Sequence, residues 1–282
     1  MLIRQLLLAA LPLFPWLALA DDPAALEIIE LAFQADDANE QIARQYTFHE
    51  RTDARFLDRQ GRLKRHEVKT WDVTLLDGSE YRRLIAEDDQ PLSEKKAAKE
   101  ERKLRQSIDE LRRETPKQRA KRLARIEEER EQERRFRREV TRAFDFTLSG
   151  EERIGEVDAW VIAAEPKPGY RPDPKLKRAD LLRKLRGKLW IAKDDHGWVK
   201  VDLETTDSFS IGLFLLKLKE GTRIEFSQRR HNGEVWLMDA FHVRFRGRAG
   251  LVIGFNGEVS ASYDNFRKFS ADSRIVAVDA VN

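Results

Sequence analysis

Alternating apolar runs closed by tight turns recur along both halves of this chain, and they point to an antiparallel sheet. Tyr46, Phe48, Ala54 and Phe56 sit at even offsets, the period of a strand with one buried face. Asp58-Arg59-Gln60-Gly61 turns the chain, and Leu63–Leu76 returns with Trp71, Val73 and Leu75 on one side. Asp77-Gly78 is a two-residue hairpin signal leading into a third strand, Tyr81–Ala86. The pattern resumes after residue 143. Phe144–Ile154 and Ala159–Glu165 flank Gly155, and Lys188–Lys193 and Trp198–Thr205 flank Asp194–Gly197. Thr222–Gln228 and Glu234–Arg246 flank Asn232-Gly233, while Leu251–Phe255 and Val259–Tyr263 flank Asn256-Gly257. Links this short leave no room for crossover helices, so a meander is expected rather than βαβ units. About ten strands in one sheet are too many to stay flat, and the sheet should curl.

Helical periodicity enters twice. Asp22 is a good N-cap, Pro23 suits the first helical position, and Leu26, Ile29 and Phe33 recur at helical spacing. Residues 92–143 interrupt the strands with two helices, Ser93–Arg113 and Pro116–Arg142, separated by the Thr115-Pro116 break. Their apolar stripe is thin: Leu104, Ile108 and Leu111, then Leu123, Ile126, Phe136, Val140 and Phe144. That suffices to hold two helices together or lay them on a sheet, not to bury them. A proline-rich loop, Pro166–Pro174, precedes a short basic helix over Leu176–Leu185. The expected fold is α+β: a large curled antiparallel sheet, an incomplete β-barrel, packed on an N-terminal helix. It forms one domain over 21–282, with the charged helical hairpin inserted between strands.

The first twenty residues, MLIRQLLLAALPLFPWLALA, differ from the rest. One cation, an apolar run and a closing Ala18-Leu19-Ala20 make the layout of a cleaved secretory signal peptide. Two prolines and the following Asp21-Asp22 argue against a retained span. The chain has no cysteine, which removes disulfides, thiolate metal sites, a cysteine nucleophile and a lipid-bearing cysteine. A soluble periplasmic protein without a lipid anchor is the expectation. The charge, 53 Lys+Arg against 50 Asp+Glu, is unevenly spread. Residues 94–142 hold 19 basic and 12 acidic side chains, and the remainder of the mature chain is mildly acidic. The basic excess therefore belongs to the helical insertion, and nucleic acid is not an expected partner.

No nucleophile elbow, phosphate loop or zinc-helix motif occurs. If residue 57 faces 62 across the first hairpin, His49 faces Thr70 and His66 faces Asp53. Around Asn232-Gly233 the same counting puts His242 opposite Arg223. No two histidines then meet by local pairing, and neither a catalytic residue, a metal nor a cofactor is nominated. A non-enzymatic role is expected.

The aromatic residues say more. Trp71, Trp160, Trp190, Trp198 and Trp236 all fall in strands, where they serve either a filled core or a hollow open to an apolar ligand. Phe209–Leu218 is the most apolar stretch beyond residue 20. It reads as a buried segment, or as a mobile lid or membrane-touching surface hinged at Gly212 and Gly221. Candidate cavity residues are Trp71, Trp160, Phe209, Leu213, Phe214, Trp236 and Phe241. Arg134, Arg135, Arg137 and Arg138 make the candidate docking surface on the arm.

The stretch Gly187-Lys-Leu-Trp-Ile-Ala-Lys-Asp-Asp-His-Gly-Trp-Val-Lys-Val-Asp202 resembles the hairpin of periplasmic lipoprotein-sorting (LolA-like) proteins. Residues 220–250 and the closing Tyr263-Asp-Asn-Phe-Arg-Lys-Phe269 are similar in kind, and the resemblance spans the N-terminal helix, 45–85 and 144–269. It implies an incomplete barrel wrapped around helices, whose concave apolar side accepts acyl chains in some relatives; others sense envelope stress. The charged arm departs from the basic sorting protein, and no lipobox cysteine is present. The whole chain also resembles bacterial envelope proteins carrying such an arm. Two functions follow as expectations: carriage of a lipid, lipoprotein or other apolar ligand in a half-barrel, or docking of an envelope partner or anionic membrane through the basic arm.

Overall fold

The computed structural model describes residues 22–58, 60–176, 179–211, 216–249 and 253–268. The proposed signal peptide, together with Leu213 and Phe214, lies outside the described residues. Helix α1 (Pro23–Ala43) leads into β1 (Tyr46–Leu57), β2 (Leu63–Leu76), β3 (Ser79–Glu87) and the two-residue β4 (Gln90–Pro91). Helices α2 (Glu94–Arg112) and α3 (Pro116–Ala143) follow. Then come β5 (Phe144–Ile154), β6 (Val157–Pro166), β7 (Leu185–Ala192), β8 (Trp198–Thr205), β9 (Phe209–Ile211), β10 (Leu216–Leu218), β11 (Arg223–His231), β12 (Val235–Ala249) and β13 (Ile253–Lys268).

All described strands belong to one antiparallel sheet of order β4-β3-β2-β1-β13-β12-β11-β8-β7-β6-β5, with β10 joined to β12 and β9 to β10. The first block runs outward from the middle of the sheet to one edge. The second starts at the other edge and meanders back until β13 pairs with β1. The helical pair is therefore the link between the two edges of an open sheet. Among the described residues the strands number thirteen rather than about ten, because β4, β9 and β10 are too short to show as alternating runs.

Asp22 starts α1 and fastens it to the sheet. One carboxylate oxygen accepts from Ala24 N–H at 3.0 Å, the other from Leu148 N–H at 3.2 Å, and Asp22 N–H donates to the Phe146 carbonyl. Ala25, Ile28, Ile29 and Ala32 then bury against Phe144, Phe146, Ile162, Leu189, Ile191 and Val201 of β5–β8. At the far end of α1, Ile42 and Ala43 pack beside Tyr46, Val235 and Leu237. Thr115 and Gln118 form a reciprocal capping box that starts α3.

Several expectations are corrected. Asn256-Gly257 is not a turn but the interior of β13, opposite Arg246 and Phe245. A Cβ on Gly257 would stand 2.3 Å from Phe245 Cζ, so this glycine makes room for a ring rather than reversing the chain. The short helix expected over Leu176–Leu185 is present as a 3-10 helix limited to Ala179–Lys184. The first hairpin also pairs two residues further along than counted. His49 faces Asp72, not Thr70, and His66 faces Arg55, not Asp53. Asp58 takes up the difference by accepting from Gln60 and Arg62 N–H, and a bulge follows between Phe56 and Leu57. A turn in which His231 pairs Val235, and a bulge at Ser227/Gln228, each add one residue and together set His242 opposite Glu225, not Arg223.

Candidate functional site

Strand register lays residues out in rows across the face that receives α1. One row runs Leu148, Ile162, Leu189, Val201, Phe226, Phe241, Ala261. The next runs Phe146, Ala164, Gly187, Leu203, Ile224, Val243, Val259, Ala54. Helix α1 packs on the β5–β8 end of these rows. The apolar side chains continue well past it. Ile224, Phe241, Val243, Val259, Phe245 and Phe56 are only half-buried and belong to none of the packed clusters. Phe245 contacts both Phe56 and Phe255, with ring centroids 6.4 and 5.8 Å away. This uncovered apolar field is what a ligand-binding hollow requires.

One end of the field is polar. Tyr263, Glu50, Trp71 and Leu84 share a row on β13, β1, β2 and β3. Arg82 donates to the Glu50 carboxylate and lies 5.3 Å from the Trp71 ring. Burial raises the Glu50 carboxyl above its ordinary range, with Arg82 opposing the shift. Burial, assisted by the Glu50 charge, pushes the Tyr263 hydroxyl up to about 12. An ion pair beside two aromatic rings, Trp71 and Tyr263, gives this end the chemistry to meet a polar group attached to an apolar tail.

The sequence candidates fall in different places. Trp71 and Phe241 lie on the α1 face, in the field just described. Trp160 is on the same face, at the covered end. It packs against the α1 core and sits 5.3 Å from the His196 ring. Trp236 is buried in a separate cluster with Trp190, Ala192 and Val199. Its indole N–H donates to Asp195 at 2.9 Å, Arg230 stacks on it at 4.9 Å, and Gly197 lies against it. Phe209 is half-buried in β9, which pairs with β10 and so continues the sheet beside β12. Sequence reasoning missed Phe245, Tyr263, Val243 and Val259. Phe48 and Phe56 were visible in the alternation, but which strands they face was not.

Among the described residues no three His, Cys, Asp or Glu side chains gather as a metal ion would need, and no helix is long and apolar enough to cross a membrane. The four arm arginines are paired within the protein. Arg134, Arg135 and Arg138 all reach Glu131, and Arg134 also reaches Glu127. Arg137 clasps α1 through Asp36 and Asp37 at 2.9 and 2.7 Å.

No family model matches the chain, and no curated protein does. Solved structures do align along most of it. A putative outer membrane lipoprotein-sorting protein domain from Vibrio parahaemolyticus is 9% identical, with 86% of this chain and 92% of that one covered and a TM-score of 0.33. A DUF1329 family protein from Desulfovibrio piger is 12% identical over 86% and 92%, with a TM-score of 0.30. A LolA superfamily protein from Nitrosomonas europaea is 10% identical over 87% and 93%, with a TM-score of 0.26. Superpositions this loose transfer no residue and no ligand to this chain.

Proposed function

We propose that this chain is a non-catalytic protein of the bacterial periplasm, delivered there by cleavage of its first twenty residues, that binds a lipid or other acylated molecule on the uncovered part of its helix-side face. One observation carries the reading: the apolar rows of that face extend beyond α1, and their side chains stay half-exposed without a packing partner among the cores. The energetics suit a carrier. Each buried methylene is worth about 0.8 kcal/mol, so a ten-carbon tail gains about 8 kcal/mol before association costs of at least ~4 kcal/mol. Such binding is reversible.

The test is a fluorescent acyl probe, dansyl-undecanoic acid, titrated into the purified protein alongside mass spectrometry of its organic extract. Phe241→Asp and Val259→Asp place a carboxylate on the apolar field and should weaken the probe tenfold or more, whereas Trp236→Phe, altered within a packed cluster, should bind it unchanged. A wild-type protein that neither takes the probe nor yields any lipid in its extract refutes the proposal.

A further inference from the structure

The positive charge of the arm is concentrated where its two helices meet. Residues 112–125, RRETPKQRAKRLAR, carry seven cations and one carboxylate. Arg122 is half-buried and is spent on Glu114 and Asp77, and Arg119 also reaches Asp77. Among the described residues Arg112, Arg113, Lys117 and Lys121 have no ion-pair partner, and all four are exposed. This contrasts with Arg134, Arg135, Arg137 and Arg138 further along α3, each of which has an ion-pair partner in Glu127, Glu131 or the acids of α1. Leu123, 44% exposed, is one of two large apolar side chains standing clear in the described residues.

The geometry of α3 sorts these groups. At about 100° per residue, Arg119 and Arg122 point toward the β2–β3 turn that they hold. Ala120 and Ala124 lie on the opposite side, flanked by Leu123 on one hand and by Lys117 and Lys121 on the other. That face joins small apolar groups, one exposed leucine and long cationic side chains. We infer that the tip of the arm docks on an anionic lipid surface, with Leu123 entering the interface and the four free cations meeting headgroup phosphates. A hydrophilic acidic protein would use the cations but gain nothing from Leu123, whereas a bilayer rewards both. The inference is independent of the ligand-binding reading, since α3 from 117 to 124 shares no residue with the apolar field.

The experiment is co-sedimentation of the full protein with vesicles of phosphatidylcholine alone or mixed with about one-third phosphatidylglycerol. Each cation near such a surface is worth about a fivefold change in affinity at low salt. Replacing Arg112, Arg113, Lys117 and Lys121 by Gln should therefore weaken binding to the anionic vesicles at least a hundredfold. Arg134→Gln with Arg138→Gln should leave it within about threefold. Leu123→Ser should lower the fraction still bound when salt is raised. Circular dichroism confirms that each variant is folded. Equal sedimentation with both vesicle types, wild-type binding by the four-Gln variant, or an unchanged salt profile in Leu123→Ser each overturns the inference; in the last case, displacement by poly-glutamate would point to an acidic protein instead.

Discussion

Arg137→Leu isolates the contact that ties the arm to the body of the protein. The guanidinium bonds Asp36 and Asp37 of α1 and lies 3.6 Å from Glu40. Arg137 is 20% exposed and Asp36 26%, while Asp37 is 55% exposed. Breaking a fully buried pair costs ~3–5 kcal/mol, and an exposed pair is worth ~1 kcal/mol or less. The intermediate burial places this clasp at about 2 kcal/mol at pH 7. For a chain of this size that lowers Tm by about 4–6 °C.

The pH dependence has a definite sign. Burial, reinforced by Asp37 and Glu40, already holds the Asp36 carboxyl above its ordinary range, and Arg137 opposes the shift. Without Arg137 the shift grows. A carboxyl whose folded pKa is raised costs stability once pH exceeds the unfolded value near ~3.9. The deficit of Arg137→Leu should therefore be small at pH 4 and full at pH 7. Asp36→Asn in the same chain should return roughly 1 kcal/mol. Thermal melts followed by circular dichroism at both pH values measure this. An equal loss at pH 4 and pH 7, or a double variant no more stable than Arg137→Leu, would refute the clasp as described.

Two glycines separate rigid from yielding contacts. An added Cβ at Gly187 would lie 2.0 Å from the Asp202 carbonyl oxygen, in the neighbouring backbone, so Gly187→Ala should cost ~3 kcal/mol or more in chemical denaturation. At Gly257 the obstacle is the Phe245 ring, which can turn aside, and Gly257→Ala should cost ~1–2 kcal/mol while also weakening the acyl probe. The His231 ring packs at a tilt against Phe266, centroids 4.3 Å apart, and burial depresses its pKa. The unfolded chain then takes up the proton more readily, so stability falls as pH drops below ~6.5. His231→Phe should flatten that part of the stability–pH curve in urea melts at pH 5 and pH 7.5.

Most strand boundaries were legible because alternation and turn chemistry are local. Tyr46–Leu57, Leu63–Leu76, Phe144–Ile154 and Trp198–Thr205 stand where the pattern put them. The failures are equally physical. Asn256-Gly257 has the composition of a turn, yet a glycine also serves where a ring presses on the backbone, and only the position of Phe245 distinguishes the two. Hairpin registers missed because a bulge adds a residue without marking the sequence. The cluster Arg134, Arg135, Arg137 and Arg138 is legible in the sequence as a density of charge, whereas its partners are not. Counting charges along a helix does not show that Glu131 sits among three of them, or that Asp36 and Asp37, a hundred residues earlier, receive the fourth.

Local pattern along the chain specifies α1, an antiparallel meander and a charged helical hairpin, since each depends on neighbours within a few residues. Tertiary structure alone decided three things. It paired β13 with β1, leaving an open sheet whose two edges the hairpin connects. It laid α1 across β5–β8 and the first residues of β12, so that Phe241, Val243 and Val259 further along the rows remained uncovered while Trp236 was packed away. And it neutralised the middle of α3 but left the tip charged. The first two, and the seat of Arg137 on α1, rest on contacts between residues far apart in the chain, and no local periodicity encodes such distances.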